Sequence, residues 1–408
     1  MRGLVEAYGA LTDVFVRKAF VGEAVKKQGA ALSASKGSLR LTYGVIEHTY
    51  LFDYQISRLV SKAPKTSVAV LLKMGMYAIK YMDDVPAFAA VDEIVKTACA
   101  VGKSGVKGFL NAVLRKYAAE GVDLIPEGKL ERLSAESNRP VWLVKRYIRE
   151  LGEEKARSLL SAKGTSATHV RASVSFGKEN LRAALQSKGI AFEETPYGFL
   201  IRSVGALFDL FEEGKATAMS LGSAEICEAA LPVCGDALDC CAAPGGKSVY
   251  LAERIKGTVT ATDLHPHRVE LIKKYAERMN VKNVRAEVRD QTEFCPAFEG
   301  AFSLVLLDAP CSGFGTLPSN PDVVLFKTES DVDALARLQR ALLENVSRYV
   351  SAGGKLVYST CSDLPSECGE NVRAFLTENA AFALKYEKYT EINEKGGEGF
   401  YYAVLEKK

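Results

Sequence analysis

The sequence predicts a multidomain chain: an all-α front part, a small α+β middle part and a C-terminal open α/β sheet. Three observations carry this expectation. The length of 408 residues exceeds what one hydrophobic core usually fills. Apolar residues recur at helical spacing through about residue 130. From residue 237 onward, short apolar runs stop abruptly at glycine, proline or acidic residues, as buried parallel strands do where they enter turns.

Taken in order, Val68-Ala-Val-Leu-Leu-Lys-Met-Gly-Met-Tyr77 and Phe109 to Leu114 read as helices of the front part, 1–130. Residues 130–140 read as a polar connector. Trp142, Leu143, Tyr147, Ile148, Leu151, Leu159 and Leu160 predict two short packed helices, and β and α signals then alternate through Val170–Val174, Asn180–Lys188 and Phe199–Ile201. The middle part is placed at 131–218 and the C-terminal part at 219–408. In the latter, Ala237–Cys241, Thr258–Asp263, Val284–Val288 and Phe302–Leu307 read as strands, and an apolar run precedes Tyr358-Ser-Thr-Cys361.

Two cysteines follow such strands: Cys311 in Asp308-Ala-Pro-Cys-Ser-Gly, and Cys361. Ligands of open α/β sheets bind at the carboxyl ends of the strands, so both thiols are expected in one crevice. The first strand opens into Cys241-Ala242-Ala243-Pro244-Gly245-Gly246-Lys247-Ser248, where glycines permit unusual backbone angles and close approach of a ligand. The helix beyond favours a negative group. A phosphate loop is excluded because position 241 is Cys where that motif needs Gly, and the dinucleotide fingerprint fails on glycine spacing. A carboxylate-bearing nucleoside cofactor remains. Asp263, at the end of the second strand, suits ribose hydroxyls; Asp290, past the third, suits an adenine amine; Asp308 ends the fourth. A single strand-end Asp is ordinarily a cap or a solvated turn, but three in succession point to a site.

Composition narrows the class. No apolar run reaches membrane-spanning length and the N-terminus lacks the apolar core of a signal peptide, so a cytoplasmic enzyme with no membrane partner is expected. Nine cysteines, two of them adjacent, do not form a secreted disulfide framework, and reduced thiols are expected. Cys99, Cys227, Cys234, Cys240 and Cys295 read as small buried hydrophobes. The four histidines lack partner cysteines at zinc spacing, so no metal is expected. Through residue 130 there are 18 Lys and Arg against 12 Asp and Glu, a net of +6, leaving −3 for the rest of a chain of net +3. The basic front, with Lys62, Lys65, Lys103, Lys107, Arg115 and Lys116, is expected to meet a phosphate backbone, although such an excess also occurs on ordinary solvated faces.

Together, Asp239-Cys-Cys-Ala-Ala-Pro-Gly-Gly-Lys247, Asp308-Ala-Pro-Cys-Ser-Gly313, Asn320-Pro-Asp322 and Ser359-Thr-Cys-Ser362 resemble the RNA cytosine-C5 methyltransferase family, in order and spacing over about 220–408. Leu72-Lys-Met-Gly75, Asp84-Val-Pro86, Ala90-Val-Asp-Glu93 and Phe109-Leu-Asn-Ala-Val-Leu-Arg115 resemble the NusB-like RNA-binding fold of its RsmB/Sun branch. The resemblance implies a NusB-like all-α domain, a small α+β linker and a Rossmann-like class I methyltransferase sheet. It implies S-adenosyl-L-methionine as cofactor, held by residues 241–247, Asp263, Arg268, Asp290 and Asp308, and RNA as partner, ribosomal or transfer, with the small ribosomal subunit favoured. The chain is expected to be a monomer.

Carbon 5 of cytosine is too weak a nucleophile to take a methyl group directly, so a thiolate must first add to carbon 6. The resemblance implies that Cys361 attacks, that Cys311 assists breakdown of the adduct and that Asp308 faces N3. The chemistry alone leaves the two thiols interchangeable, since DNA cytosine methyltransferases attack through a Pro-Cys pair, here Pro310-Cys311. The chain departs from the family pattern at Met219-Ser220 and at Pro318-Ser319, where a polar contact and basic residues are usual. Two other classes compete: a non-catalytic RNA-binding or antitermination factor, and a nicotinamide-dependent oxidoreductase.

Overall fold

A computed structural model of the chain describes residues 3–29, 32, 35–165, 167–393 and 395–408. By internal packing the chain divides into two compact units, Met1–Ser161 with Asn320–Lys327, and Ala162–Ser319 with Thr328–Lys408.

The first unit is helical: Leu4–Arg17, Val21–Lys27, Lys36–Glu47, Thr49–Leu59, Thr66–Tyr81, Ala87–Ala100 and Lys107–Lys116 bury Leu11, Leu41, Phe52, Leu72, Ile94 and Leu114 in one core. The apolar run Val68–Tyr77 lies in Thr66–Tyr81, which is buried on most of its circumference, as a central helix must be. Residues read as a polar connector instead form the helix Lys129–Ser137, ahead of Val141–Leu151 and Glu153–Ser161. Polarity misled here because the buried face consists of Ser134, Ala135 and Ser137, short side chains that leave no apolar period. Asn138, left-handed at φ 52°, ends this helix, and its side chain donates to Ile46 O at 2.9 Å.

Asn320–Lys327 also belongs to this unit. Leu325 and Phe326 pack against the helical core, and Phe326 meets Phe20 edge to face at 5.5 Å. Asp322 is buried and accepts the Val21 amide at 2.7 Å. The Asn-Pro-Asp motif thus ends in a capping contact on the helix Val21–Lys27.

The second unit contains two sheets. The smaller, in order β2-β3-β1-β4, is antiparallel and built from β1 (Thr168–Ala172), β2 (Phe192–Thr195), β3 (Gly198–Ile201) and β4 (Ala216–Ala218). The helix Lys178–Ser187 packs Leu181 and Leu185 onto it. The larger comprises β5 (Ala237–Cys240), β6 (Val259–Asp263), β7 (Val284–Val288), β8 (Phe302–Asp308), β9 (Val350–Thr360), β10 (Phe382–Tyr389) and β11 (Tyr401–Lys407). Among the described residues its order is β10-β11-β9-β8-β5-β6-β7. The run β9-β8-β5-β6-β7 is parallel, and β11 pairs antiparallel with β9 and β10. Every residue of β5 and β6 is buried, as parallel strands covered on both faces require. The winding direction reverses between β5 and β8, so their carboxyl ends open the crevice of the sheet.

Asp322→Ala leaves the buried Val21 amide without its acceptor. The midpoint of chemical denaturation should fall by the equivalent of about 1–3 kcal/mol, with faster amide exchange at the start of Val21–Lys27.

Candidate active site

β5 ends in a tight reversal. Cys241 is left-handed at φ 58°, and Gly245 sits at φ 106°. A Cβ on Gly245 would lie 3.2 Å from Ile272 Cα, so both backbone angle and space select glycine. A Cβ on Gly246, where the helix Gly246–Ala252 begins, would meet nothing within 4 Å. Ala242, Ala243, Pro244, Gly246, Lys247 and Asp308 line a crevice of about 210 Å³ together with Asp239, Ser220 and Tyr275.

The remaining expected cofactor residues are distributed unevenly. Asp263, buried at the end of β6, accepts the Ala243 amide at 3.3 Å, while Arg268 lies 3.5 Å from Asp263 and donates to Ala243 O at 3.3 Å. Both brace the turn. The Cys241 thiol is pushed up to about 12 by burial and then by Asp263. Asp290, past β7, accepts the Thr292 amide and hydroxyl at 2.8 and 2.6 Å, a local turn that holds its carboxyl below the usual range.

Asp308 connects the turn to the thiols. Lys247 Nζ lies 2.6 Å from its Oδ2, and Ser359 Oγ donates to Oδ1 at 2.7 Å. Burial acts against the Lys247 charge, but Asp308 outweighs it and holds the ammonium above its ordinary range. Cys311 and Cys361, carried by the loops beyond β8 and β9, are free thiols with their sulfurs 3.2 Å apart. Contact with the Cys361 sulfur, then burial, raises Cys311 well above an ordinary thiol. Among the other cysteines, Cys227, Cys240 and Cys368 are buried, but Cys99 and Cys234 are exposed, against the expectation of burial. Cys99 falls on the solvent side of the helix Ala87–Ala100 and Cys234 in the loop before β5, where no apolar neighbours enclose them.

Asp239 was missed as a site residue because it lies inside an apolar run. Its side chain is fully buried; Ser248 Oγ donates to Oδ2 at 2.5 Å, and among the described residues Oδ1 has no partner. Burial lifts this carboxyl to about 7. A second cavity, of about 330 Å³, shares Ala218, Met219 and Ser220 with the crevice. Ser220, Pro318, Ser319 and Glu398 line it, so the two departures from the family pattern meet in space. Ser319 Oγ donates to Glu398 at 2.9 Å, and burial lifts the Glu398 carboxyl. Among the described residues no cluster of His, Cys, Asp and Glu is arranged to hold a metal, and no helix is long and apolar enough to cross a membrane.

A parallel sheet closed by an antiparallel strand, with a glycine turn after its central strand and acids at neighbouring strand ends, defines a methyltransferase with a Rossmann-like core. The family model for 16S rRNA methyltransferase RsmB/F matches residues 234–405, and that of the NusB family matches residues 6–119. A probable ribosomal RNA small subunit methyltransferase B of Bacillus subtilis (strain 168) is 33% identical over 379 residues, covering 88% of this chain and 84% of the relative. The crystal structure of PH0851 superposes with a TM-score of 0.82 at 25% identity, covering 100% of this chain and 98% of that one. A methyltransferase homologue from Pyrococcus horikoshii, at 24% identity and a TM-score of 0.58, covers 69% of this chain and 100% of its own and shares the fold. The chain belongs to the RsmB/F family of RNA methyltransferases, with a NusB-like helical domain at its N-terminus.

The Asp239 carboxyl titrates in the folded chain at about 7, against roughly 3.9 when unfolded. The folded state therefore holds a proton that the unfolded state releases. This contribution to stability is complete below pH ~4 and is lost as pH rises through ~7. Asp239→Asn should flatten that slope and, without cofactor, stabilise the chain at pH 8 by on the order of 1–4 kcal/mol in urea unfolding.

Proposed function

We propose that the chain transfers a methyl group from S-adenosyl-L-methionine to carbon 5 of a cytosine in small-subunit ribosomal RNA, through a covalent bond between Cys361 and carbon 6. The observation that carries this reading is the unbridged thiol pair, sulfurs 3.2 Å apart, at the ends of adjacent parallel strands and beside the Lys247–Asp308 pair. The names of the curated relatives support ribosomal RNA as substrate.

The residues present fit the cofactor. The orphaned Oδ1 of Asp239, a residue that lines the crevice, suits an ammonium group, the open side of Gly246 leaves room, and Lys247 offers a cation to a carboxylate. Asp263 and Arg268 hold the turn in shape, and Asp290 stands at the next strand end. When bound, the cofactor supplies an electrophilic methyl group.

In the proposed reaction Cys361 gives up its proton and forms the Sγ–C6 bond, while N3 of the ring gains a proton and carbon 5 becomes enamine-like. Asp308 retains lone pairs beyond those used by Lys247 and Ser359, and can accept from the protonated ring. After transfer, a solvent base takes the C5 proton, that electron pair restores the C5–C6 double bond as the Sγ–C6 bond breaks, and N3 returns its proton to the departing Cys361 thiolate. Cys311, at 3.2 Å from Cys361, assists this release.

Attack and release leave different traces. Cys361→Ala should abolish methylation and any covalent complex. Cys311→Ala should accumulate an adduct of protein and RNA that survives denaturing electrophoresis when RNA and S-adenosyl-L-methionine are supplied. Adduct in the first variant and not in the second would reverse the two roles.

In the helical unit, Lys62, Lys65, Lys107 and Arg115 are exposed. Changing them together to Ala should weaken RNA binding and reduce the slope of log affinity against log salt by about 0.7–0.9 for each phosphate no longer neutralised. An unchanged slope would place the RNA anchor elsewhere.

A further inference from the structure

Glu367 is fully buried in the short turn Pro365–Glu367, six residues beyond Cys361. Four donors converge on its two oxygens. Oε1 accepts from the Ser312 amide at 2.8 Å and from Gln339 Nε2 at 3.0 Å. Oε2 accepts from Ser312 Oγ at 2.5 Å and from Ser362 Oγ at 2.6 Å. Ser312 directly follows Cys311, and Ser362 directly follows Cys361. Gln339, on the helix Glu329–Ser347, also donates to Pro310 O at 2.9 Å, on the other side of Cys311. Tyr358 Oη donates to the Glu367 carbonyl at 2.6 Å and ties the turn to β9.

A carboxylate accepts about four hydrogen bonds and donates none, so these partners fill its capacity. A buried charge is costly unless it is bonded in this way, and here the bonds go to the residues flanking both thiols. We propose that Glu367 is a positioning residue that sets the separation of Cys311 and Cys361. One carboxylate gathers the residue after each cysteine, so neither loop can drift without breaking a charge-assisted hydrogen bond. Its effect on methylation rests on the covalent mechanism proposed above; its effect on thiol spacing does not.

Glutamine at 367 keeps the shape but offers one acceptor oxygen and turns an amide donor toward groups that now donate. The test uses full-length Glu367→Gln with the dithiol oxidant diamide, and mass spectrometry reads formation of the Cys311–Cys361 disulfide. In the unsubstituted protein the sulfurs need only close from 3.2 Å to about 2.05 Å. The variant should form this bond roughly tenfold more slowly and lose about tenfold to a hundredfold in kcat, with KM for RNA and affinity for S-adenosyl-L-methionine little changed. A merely structural defect would also lower the affinity for the cofactor. An unchanged rate of disulfide formation would overturn the proposal. A slower disulfide with unchanged kcat would uphold the clamp and count against the covalent mechanism instead. If Glu367→Gln does not fold, Ser312→Ala and Ser362→Ala each remove one donor and should slow the same oxidation to a smaller extent; no change in either would overturn the proposal.

Discussion

The parallel pairing of β8 with β9 is the constraint on which the site depends. Asp308 stands opposite Ser359 and Leu307 opposite Tyr358, so the two strands end at one level. Cysteines fifty residues apart in the chain consequently emerge side by side. On the other flank β8 pairs with β5, Leu307 opposite Cys240, which brings the glycine turn to the same edge. Lys247 then reaches Asp308 without a long excursion. A slip of one residue in either pairing would turn these strand-end side chains to the opposite face.

Three acidic groups near this edge, Glu367 and Asp239 fully buried and Asp308 half-buried, are compensated differently. Glu367 is fully bonded and ties two loops together. Asp308 is neutralised by an ammonium ion and a hydroxyl. Asp239 has one hydroxyl donor and an orphaned oxygen, and its carboxyl rises to about 7. The first arrangement fixes geometry, the second fixes charge, and the third leaves an unmet demand for a donor on a residue that lines the crevice.

Close backbone approach completes the thiol side. The Gly315 amide donates to Cys361 O at 3.1 Å, and the Gly399 amide donates to Gly315 O at 2.8 Å. A Cβ on Gly315 would lie 1.7 Å from Gly399 O, so only glycine permits the two loops to meet. This approach draws Ser319 and Glu398 together and shapes the second cavity.

The five parallel strands of the large sheet and the turn after β5 were legible in the sequence, because buried parallel strands read as short apolar runs and the turn residues announce themselves, whereas the antiparallel β10 and β11 were not read. The expectation that Cys311 and Cys361 share a crevice followed from those strand ends. Glu367 and Gln339 were not legible: Pro365-Ser-Glu367 reads as an ordinary solvated turn, and Gln339 as a polar position on an amphipathic helix. The helix Lys129–Ser137 was hidden by its short polar side chains, and Asn320–Lys327 by the lack of any local signal for the unit it joins. The sequence alone determined the order of the parallel strands and which residue types stand at their ends, since these depend on periods of two to four residues. Only the tertiary structure decided which polar groups are buried and what they bond, because burial and hydrogen bonding are settled between segments far apart in the chain.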